Sequence, residues 1–417
     1  MNYINFLSNN WRFLAFGIAA NFFASSGQTY FISIFGNEFR QEFSLTNSEL
    51  GLLYMLATIS SALSLIWIGR LIDKIDLRLY TLFVTIAMIA AIFFTSSVTN
   101  MLSLGLAFYF LRLLGQGLLN HIAVTSMGRY YYERRGTAIS ISAFGDTIGV
   151  ALYPFAGVIL IVWLGWQETW VVLGYSYLFL ALPLMLWLLK GHDNRHQRYL
   201  LDLNKKTAKR IHPKRAEYSV RSIIKELRFY LLLPAFLSPS FFMTGLIFHQ
   251  AKIVEIKGWS MILFSSGFFG LAIASFLTSL LLGPVVDRWK AINLLPFILF
   301  PLILALLILN ISNDEYIGFI YLILLGVSLG ATFTVTESIW PELYGTIHLG
   351  GIKSFTRALS VFSSALAPWI IGLLFDMGIT INELSWISIS LILVSSILAK
   401  ISKFIFPKRF SYFETKK

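Results

Sequence analysis

The chain has 417 residues, of which 57% are hydrophobic and only 13% are charged. A soluble domain carries about 25% charged residues, so a chain this apolar must have lipid as its outer solvent. The formal net charge is +12 and cysteine is absent, which excludes a disulfide framework and any metal site built from cysteines.

Apolar stretches long enough to cross a bilayer recur along the whole sequence, since a spanning helix needs about 20 mostly apolar residues. The predicted spans 1 to 12 are 11–35, 49–69, 79–98, 101–127, 137–163, 168–189, 229–251, 261–284, 291–310, 316–338, 351–375 and 383–405. The first of these is too long for a signal peptide and is followed by no small-residue cleavage site. The sequence therefore predicts an all-α membrane protein with twelve transmembrane helices.

Lysine and arginine are concentrated in alternate connecting segments. If the N-terminus lies in the cytoplasm, the cytoplasmic segments and the ends of the spans that adjoin them hold 27 of the 33 basic residues, and both termini are cytoplasmic. This asymmetry sets the orientation of a membrane protein. We predict a multi-pass protein of the cytoplasmic (inner) membrane. The positive charge is thereby explained by topology, and nucleic-acid binding has no support.

One long hydrophilic segment, 190–228, divides the spans into six and six. The predicted domains are a six-helix bundle at 1–189, a cytoplasmic linker at 190–228, a second six-helix bundle at 229–405 and a cytoplasmic tail at 406–417. The basic linker is expected to lie near anionic lipid headgroups.

A constant shift of 214 residues brings the two halves into register. The matching pairs are Gly69 and Gly283, Asp73 and Asp287, Tyr130 and Tyr344, Gly136 and Gly350, and Pro154 and Pro368. Because each half has an even number of spans, the halves are predicted to be parallel repeats. Transporters built in this way bind substrate near the bilayer midplane at the repeat interface and work by rocking of the repeats.

The loop after span 2 carries the most specific motif of the sequence. Gly69-Arg-Leu-Ile-Asp73-Lys74-Ile-Asp76-Leu-Arg78 resembles the loop 2–3 motif of the major facilitator superfamily, with Asp76 in place of the second glycine. The copy that begins at Gly283 and includes Asp287 and Arg288 is weaker, and Arg112-Leu-Leu-Gly-Gln-Gly resembles the arginine motif of span 4. The resemblance implies the major facilitator fold, with two bundles related by a pseudo-twofold axis.

The same resemblance implies that this loop is a conformational latch on the cytoplasmic side. From the residues alone, Gly69 permits a tight turn and Asp73 is placed to complement the helix dipole at the start of span 3. Lys74 and Arg78 are then expected to bridge to the other half. The alternative is that these are ordinary cytoplasmic loop charges.

The segment before span 5 is similar to that of the bacterial monocarboxylate and oxalate/formate-type carriers. It reads Tyr130-Tyr-Tyr-Glu-Arg-Arg-Gly136 and is followed by Gly145, Gly149 and Pro154. This likeness implies an organic anion as substrate and a functional cation in span 11.

Two ionisable residues lie at similar depth in neighbouring spans, Arg112 in span 4 and Asp146 in span 5. A charge at the centre of a span costs at least about 2.5 kcal/mol, so both are functional candidates. They could form a proton-coupled relay, or Arg112 could bind an anionic substrate while Asp146 orients it. A static structural pair is the third reading.

Span 11 contains Lys353 and Arg357 on one helical face, with no acid in that span to neutralise them. Two cations facing a cavity suit a carboxylate, which the fork of an arginine can bind through two hydrogen bonds. The alternative for Lys353 is that its long side chain extends to the cytoplasmic surface.

Span 1 is polar for a membrane helix, since it contains Asn21, Gln28 and Tyr30. Such groups are expected to line a cavity or to pack against a neighbouring helix. Gln28 and Tyr30 are candidates for hydrogen bonding to substrate. His121 in span 4 is either a core histidine or a proton carrier.

No nucleotide-binding loop or zinc-protease motif occurs, and no soluble segment is long enough for a catalytic domain. The sequence therefore predicts a monomeric, gradient-driven transporter of a small organic anion, without a cofactor, a metal or an enzymatic activity. Two alternatives remain open: an exporter of amphipathic or cationic compounds by proton antiport, and a non-transporting membrane sensor.

Overall fold

The computed structural model describes residues 3–131, 134–193, 195–197, 220–345 and 349–405, and these form helices and turns with no β-strand. The predicted tail 406–417 and most of the predicted linker, 198–219, lie outside the described residues. So do Tyr132 and Glu133 of the aromatic segment before span 5.

Within that part of the chain, eleven helices are long and apolar enough to cross a membrane. They are span 2 (Asn47–Asp73), span 3 (Leu77–Ser96), span 4 (Met101–Tyr130), span 5 (Arg135–Leu164), span 6 (Trp166–Leu188), span 7 (Leu227–Phe248), span 8 (Met261–Trp289), span 9 (Ala291–Ile308), span 10 (Glu315–Tyr344), span 11 (Leu349–Asp376) and span 12 (Ile381–Lys403). The prediction of an all-α membrane protein is confirmed, and each observed span overlaps its predicted range.

Span 1 is the exception, because it is helical in pieces. It comprises an α-helix at Tyr3–Phe23, a 3-10 turn at Ala24–Gly27, a short helix at Thr29–Ile32, a second 3-10 turn at Ser33–Phe35 and a last helix at Gly36–Glu42. We call residues 24–35 the span 1 break. Serine and glycine lie in the first turn of the break, and both favour turns over helix interiors.

The chain forms two compact units. The first contains Met1–Ser44 and Leu56–Lys214, and the second contains Leu45–Met55 and Arg215–Lys417. The first turns of span 2 thus belong to the second unit. There the Asp376 carboxylate accepts hydrogen bonds from the backbone N–H groups of Asn47, at 3.0 Å, and Ser48, at 2.7 Å. Asp376 therefore caps the beginning of span 2 from the end of span 11.

The sequence repeat is also a repeat of helix boundaries. Spans 2, 3, 4 and 5 begin at Asn47, Leu77, Met101 and Arg135, and the same shift of 214 gives the first residues of spans 8 to 11. Tyr130 and Tyr344 end spans 4 and 10, and Pro154 and Pro368 lie inside spans 5 and 11. The paired residues therefore occupy the same places in the two sets of helices.

Candidate functional site

Arg112 lies in span 4, within a π-helical segment that runs from Arg112 to Leu119. Its side chain is buried, with 5% of its surface exposed. Nη1 lies 3.4 Å from the Gly27 carbonyl oxygen and 3.4 Å from Thr29 Oγ1, so both partners belong to the span 1 break. Short π-helical segments inside α-helices occur frequently at functional sites.

Two glycines allow the break and the π-helical segment to touch through their backbones. A Cβ atom on Gly27 would lie 2.1 Å from the Leu111 carbonyl oxygen, and one on Gly115 would lie 2.8 Å from the Gly27 Cα. No other residue type fits either position without a shift of one chain. This close approach brings the Gly27 carbonyl within reach of Arg112.

Asp146 lies in span 5, where its half-buried carboxyl group hydrogen-bonds with the Tyr30 hydroxyl. Tyr30 in turn donates to Ser25 Oγ at 2.9 Å. Within the described residues, no ion pair joins Asp146 to Arg112. The two charged side chains both contact the span 1 break, from different neighbouring spans, and the direct pair considered from the sequence is not present in this structure.

A second chain of hydroxyl groups lies beside the first. Ser26 Oγ is 2.6 Å from the Tyr177 hydroxyl, which is 3.0 Å from the Tyr153 hydroxyl, and all three side chains are buried. Sequence reasoning missed Tyr153 and Tyr177, because tyrosine counts as apolar in a hydropathy pattern. The available signal was a tyrosine in the interior of each of spans 5 and 6, since a buried hydroxyl needs a partner.

Asn21 and His121 have structural partners. Asn21 Nδ2 donates to the Ser142 carbonyl at 2.8 Å, and its Oδ1 accepts from Asn120 Nδ2 at 3.0 Å, which ties span 1 to spans 5 and 4. His121 Nε2 lies 3.2 Å from the Gly69 carbonyl oxygen. Gln28 is half-buried and has an extended backbone where the first 3-10 turn of the break ends.

In span 11, Lys353 and Arg357 differ in whether an acidic side chain pairs with them. Lys353 Nζ forms an ion pair with Glu337 of span 10 at 2.6 Å, so the expectation of an uncompensated charge is wrong for Lys353. The acid comes from a neighbouring helix, which a search along span 11 cannot detect. Arg357 is exposed, and no ion pair involving it occurs in the described part of the chain.

The loop between spans 2 and 3 holds an ion pair between Asp73 and Arg129 of span 4, and Arg129 Nη1 also donates to the Ile72 carbonyl at 3.1 Å. Asp76 caps span 3 by accepting from the backbone N–H groups of Arg78, at 2.8 Å, and Leu79. We predicted that the Asp73 carboxylate would stabilise the start of span 3, and this prediction is wrong. Asp76, which replaces the second glycine of the motif, caps that helix. Lys74 is exposed.

Arg78 binds the segment after span 6, where it pairs with Asp193 Oδ2 at 2.8 Å. The adjacent His192 is fully buried and stacks on the ring of Phe13. Burial, followed by the nearby positive charge of Arg195, lowers the pKa of His192 to about 4, so this histidine is neutral at pH 7. The last basic residue of the loop motif thus fixes the beginning of the predicted linker within the first unit.

The copy of the motif in the second unit lacks these contacts. Asp287 and Arg288 are exposed, and no ion pair of either occurs among the described residues. The position that corresponds to Arg129 is Leu343, which has no charge to offer Asp287. A Cβ atom on Gly283 would meet nothing within 4 Å, in keeping with an open position.

The family model described as Major Facilitator Superfamily matches residues 14–368. The chain belongs to the major facilitator superfamily. Its twelve-helix fold is that of a membrane transporter and not of an enzyme, as the sequence predicted.

The sequence is also similar to part of human monocarboxylate transporter 6, with 27% identity over 151 residues. That alignment covers 35% of this chain and 29% of the human transporter, so the chain matches less than a third of that relative's length.

Two solved structures of a bacterial homologue of the human lysosomal transporter Spinster share the fold. The inward-facing unoccupied form has a TM-score of 0.65 at 14% identity and covers 95% of this chain and 98% of that one. The inward-facing occupied form has a TM-score of 0.62 at 17% identity and covers 95% and 96%. At this identity the likeness shows the fold alone.

Proposed function

We propose that this superfamily member is a secondary active transporter that moves a small organic anion, a carboxylate, across the cytoplasmic membrane by alternating access. The observation that carries the proposal is Arg357, an exposed guanidinium inside the apolar span 11 with no ion pair in the described residues. A cation within a span costs about 2.5–3.5 kcal/mol, and this cost is offset when an anion binds it. Arginine offers a carboxylate two parallel hydrogen bonds.

Two further observations support an anionic substrate. Arg112 provides a buried positive charge in the first unit, where its guanidinium donates to the Gly27 carbonyl and the Thr29 hydroxyl. The partial similarity to a human monocarboxylate transporter agrees with the same substrate class. The chain offers no nucleotide-binding loop, so we infer that an ion or solute gradient drives transport.

The orientation of the protein is part of the proposal. The positive-inside distribution of lysine and arginine supports cytoplasmic termini and a cytoplasmic loop between spans 2 and 3. In that orientation the Asp73–Arg129 ion pair lies on the cytoplasmic side, where we infer that it acts as a latch together with Gly69, Lys74 and Arg78. The proposed transporter works as a monomer.

The test is uptake by purified protein in liposomes. A panel of labelled acetate, lactate, pyruvate, oxalate and succinate identifies an anion that the wild-type protein transports. Arg357→Ala is expected to lower that uptake by about tenfold or more, which is the effect of losing about 1.4 kcal/mol of binding. Arg357→Lys keeps the charge but loses the two-pronged geometry, and is expected to lie in between.

Arg221→Ala is the matched control, because Arg221 is an exposed arginine near the start of span 7 that has no part in the proposed site. Its uptake should equal that of the wild type. Uptake by Arg357→Ala at the wild-type rate, in protein with unchanged thermal stability, would contradict the role of Arg357.

Asp146 favours one alternative function, export of a cationic compound by proton antiport. This carboxyl group lies inside span 5 without an ion pair among the described residues, and such a group can bind a cationic substrate. The same liposomes, tested with tetraphenylphosphonium and ethidium, distinguish the two functions. Transport of these cations with no movement of any carboxylate would establish the exporter, and binding of a ligand without any flux would indicate a sensor.

A further inference from the structure

Two π-helical segments occur in the described part of the chain, and both begin at a residue that contacts span 1. One runs from Arg112 to Leu119 in span 4, and the other runs from Tyr177 to Ala181 in span 6. The side chains of Arg112 and Tyr177 are buried, and each donates to a backbone carbonyl oxygen of span 1. Since π-helical turns are rare and occur frequently at functional sites, Tyr177 is a candidate for a role linked to that of Arg112.

The two carbonyl groups flank the first 3-10 turn of the span 1 break, Ala24–Gly27. Phe23 ends the helix before this turn, and its carbonyl oxygen accepts from the Tyr177 hydroxyl. Gly27 is the last residue of the turn, and its carbonyl oxygen lies 3.4 Å from Arg112 Nη1. Side chains from spans 6 and 4 therefore hold the same turn at its two ends.

The break explains why the Gly27 carbonyl accepts from a side chain of another span. In a continuous α-helix, this carbonyl would accept from the Phe31 N–H, four residues further along the chain. Here the extended backbone at Gln28 interrupts the helix, and the Phe31 N–H donates to the Gln28 carbonyl oxygen at 3.2 Å. Because a buried carbonyl group without a donor is destabilising, Arg112 supplies the hydrogen bond that the break removes.

The Tyr177 hydroxyl is itself fixed by neighbouring hydroxyl groups. Its one hydrogen goes to the Phe23 carbonyl, so Tyr153 is the donor in the 3.0 Å contact between the two phenols. Ser26 Oγ lies 2.6 Å from the Tyr177 hydroxyl and 3.2 Å from the Phe23 carbonyl oxygen. The Tyr177 ring is fully buried and packs edge-on against the ring of Phe23. Tyr177 thus connects span 6 rigidly to the end of the first helix of span 1.

We propose that Tyr177 is a positioning residue, which fixes the span 1 break and thereby the guanidinium of Arg112. Arg112 donates to Gly27 and Thr29, and both acceptors belong to the break. If the turn before them shifts, the acceptors shift with it, and the guanidinium changes its direction. The positioning of Arg112 concerns the structure alone, whereas its effect on anion binding rests on the proposed function.

Close packing around the turn transmits a change at one end to the other. A Cβ atom on Gly149 of span 5 would lie 1.8 Å from Ser25 Oγ, and one on Gly115 of span 4 would lie 2.8 Å from the Gly27 Cα. The turn therefore has little room to deform by itself. Since protein interiors are dense and transmit strain, a displacement at Phe23 is expected to reach Gly27.

Chemical labelling tests the positioning role without any substrate. Phenylglyoxal reacts with accessible arginine side chains, and the modified arginines of the purified protein are identified by peptide mass spectrometry. Arg112 has 5% of its surface exposed and should react slowly in the wild type. In Tyr177→Phe it should react about fivefold faster, which is the effect of losing one buried hydrogen bond. Tyr153→Phe is the matched control, because its hydroxyl donates to Tyr177 and not to span 1, and Arg112 should react as in the wild type.

Arg129 provides an internal reference in the same samples. It lies further along span 4 and pairs with Asp73, away from the break, so its labelling rate should be equal in all of the proteins. A rate for Arg112 that is the same in Tyr177→Phe as in the wild type would overturn the proposal. Parallel increases at Arg112 and Arg129 would also contradict it, since they would show a general loosening of the first unit.

If Tyr177→Phe does not fold, Ser26→Ala takes its place. Ser26 Oγ contacts both the Tyr177 hydroxyl and the Phe23 carbonyl oxygen, so its loss weakens the same connection. Faster labelling of Arg112 is expected in this variant as well, and an unchanged rate would be the contrary result.

Anion binding tests the link to the proposed function. For the carboxylate that the liposome panel identifies, Tyr177→Phe should raise the Kd about tenfold, measured by isothermal titration calorimetry in detergent. In an Arg112→Lys background, the same substitution should change the Kd by no more than about twofold, because the guanidinium that Tyr177 positions is absent. Fully additive losses would mean that Tyr177 acts independently of Arg112. If no carboxylate is transported or bound, the proposed function fails, while the labelling of Arg112 still decides whether Tyr177 positions it.

Discussion

The two units carry the same arrangement of helices but differ in what fills the equivalent positions. Arg112 in span 4 corresponds to Gly326 in span 10, and Asp146 in span 5 corresponds to Ser360 in span 11. At these two positions the first unit therefore has charged groups, and both of them contact the span 1 break. The corresponding helix of the second unit, span 7, is one α-helix, Leu227–Phe248.

Gly326, which stands where the first unit has Arg112, allows two helices of the second unit to pack closely. A Cβ atom there would lie 2.3 Å from the Leu271 carbonyl oxygen, and one on Gly330 would lie 2.3 Å from the Ser275 carbonyl oxygen, so spans 8 and 10 approach each other through their backbones. In the first unit the corresponding close approach joins span 4 to the span 1 break instead. One helical scaffold can therefore carry a charged side chain at a position in one copy and use the same position for close packing in the other.

The loop between spans 2 and 3 also forms polar contacts that the loop between spans 8 and 9 lacks. Asp73 has Arg129 as its partner, while Asp287 has Leu343 at the equivalent position. Asp76 caps span 3 with its own side chain, while Lys290 precedes span 9 and the cap is supplied by Glu342, which accepts from the Ala291 N–H at 2.6 Å. The latch contacts we propose are thus a property of the first unit.

We expect the greatest loss of stability from a substitution that disrupts the close backbone contact between spans 8 and 10. Gly326→Ala places a methyl group against the Leu271 carbonyl and forces spans 8 and 10 apart. We expect a loss of about 1–3 kcal/mol, the usual cost of overpacking, seen as a lower thermal unfolding temperature in detergent. The matched control is Gly283→Ala in span 8, where a Cβ atom meets nothing within 4 Å. Equal unfolding temperatures for the two variants would show that the spans do not depend on this contact.

A smaller loss of stability is expected from substitution of Asp73, and the equivalent residue in the second copy of the motif, Asp287, provides the comparison. Asp73→Asn removes the ion pair with Arg129 and should slow anion uptake several-fold, because the latch we propose loses its charge. The cost in stability should be about 1 kcal/mol or less, since the Asp73 side chain is 67% exposed. Asp287→Asn, which removes no ion pair from the described structure, tests whether the two copies differ. A similar loss of uptake in both variants would mean that the contacts seen here do not explain the role of the motif.

Much of the fold could be predicted from the sequence, because the signals involved are long and additive. Twenty apolar residues in a row, the alternation of basic loops and the shift of 214 each draw on many positions. The contacts within the site depend on single residues and on neighbouring helices. The span 1 break could not be predicted, because the polar run at 25–30 fits a continuous helix that lines a cavity as well as a broken one.

The predictions for Lys353 and Asp73 were wrong for the same reason, since each depends on contacts that a single sequence does not show. Lys353 is neutralised by Glu337 of another span, and Asp76 has the capping role expected of Asp73 because it lies directly before the first residue of span 3. Pairing between helices needs the packing geometry, which one sequence does not contain. The hydroxyl chain from Asp146 through Tyr30 to Ser25 could be predicted only as separate polar residues.

A gain of about 1 kcal/mol in stability is expected from a change at the residue that precedes span 9. Lys290 has a positive φ of 68°, a conformation that costs a residue with a Cβ atom about 1–3 kcal/mol, whereas its counterpart Asp76 has an ordinary negative φ. Lys290→Gly should therefore raise the stability of the protein by about 1 kcal/mol, measured as a higher thermal unfolding temperature. Asp76→Gly should not raise it, because this change relieves no strain and removes the cap of span 3. A Lys290→Gly variant that is no more stable than the wild type would mean that the backbone at Lys290 is not strained.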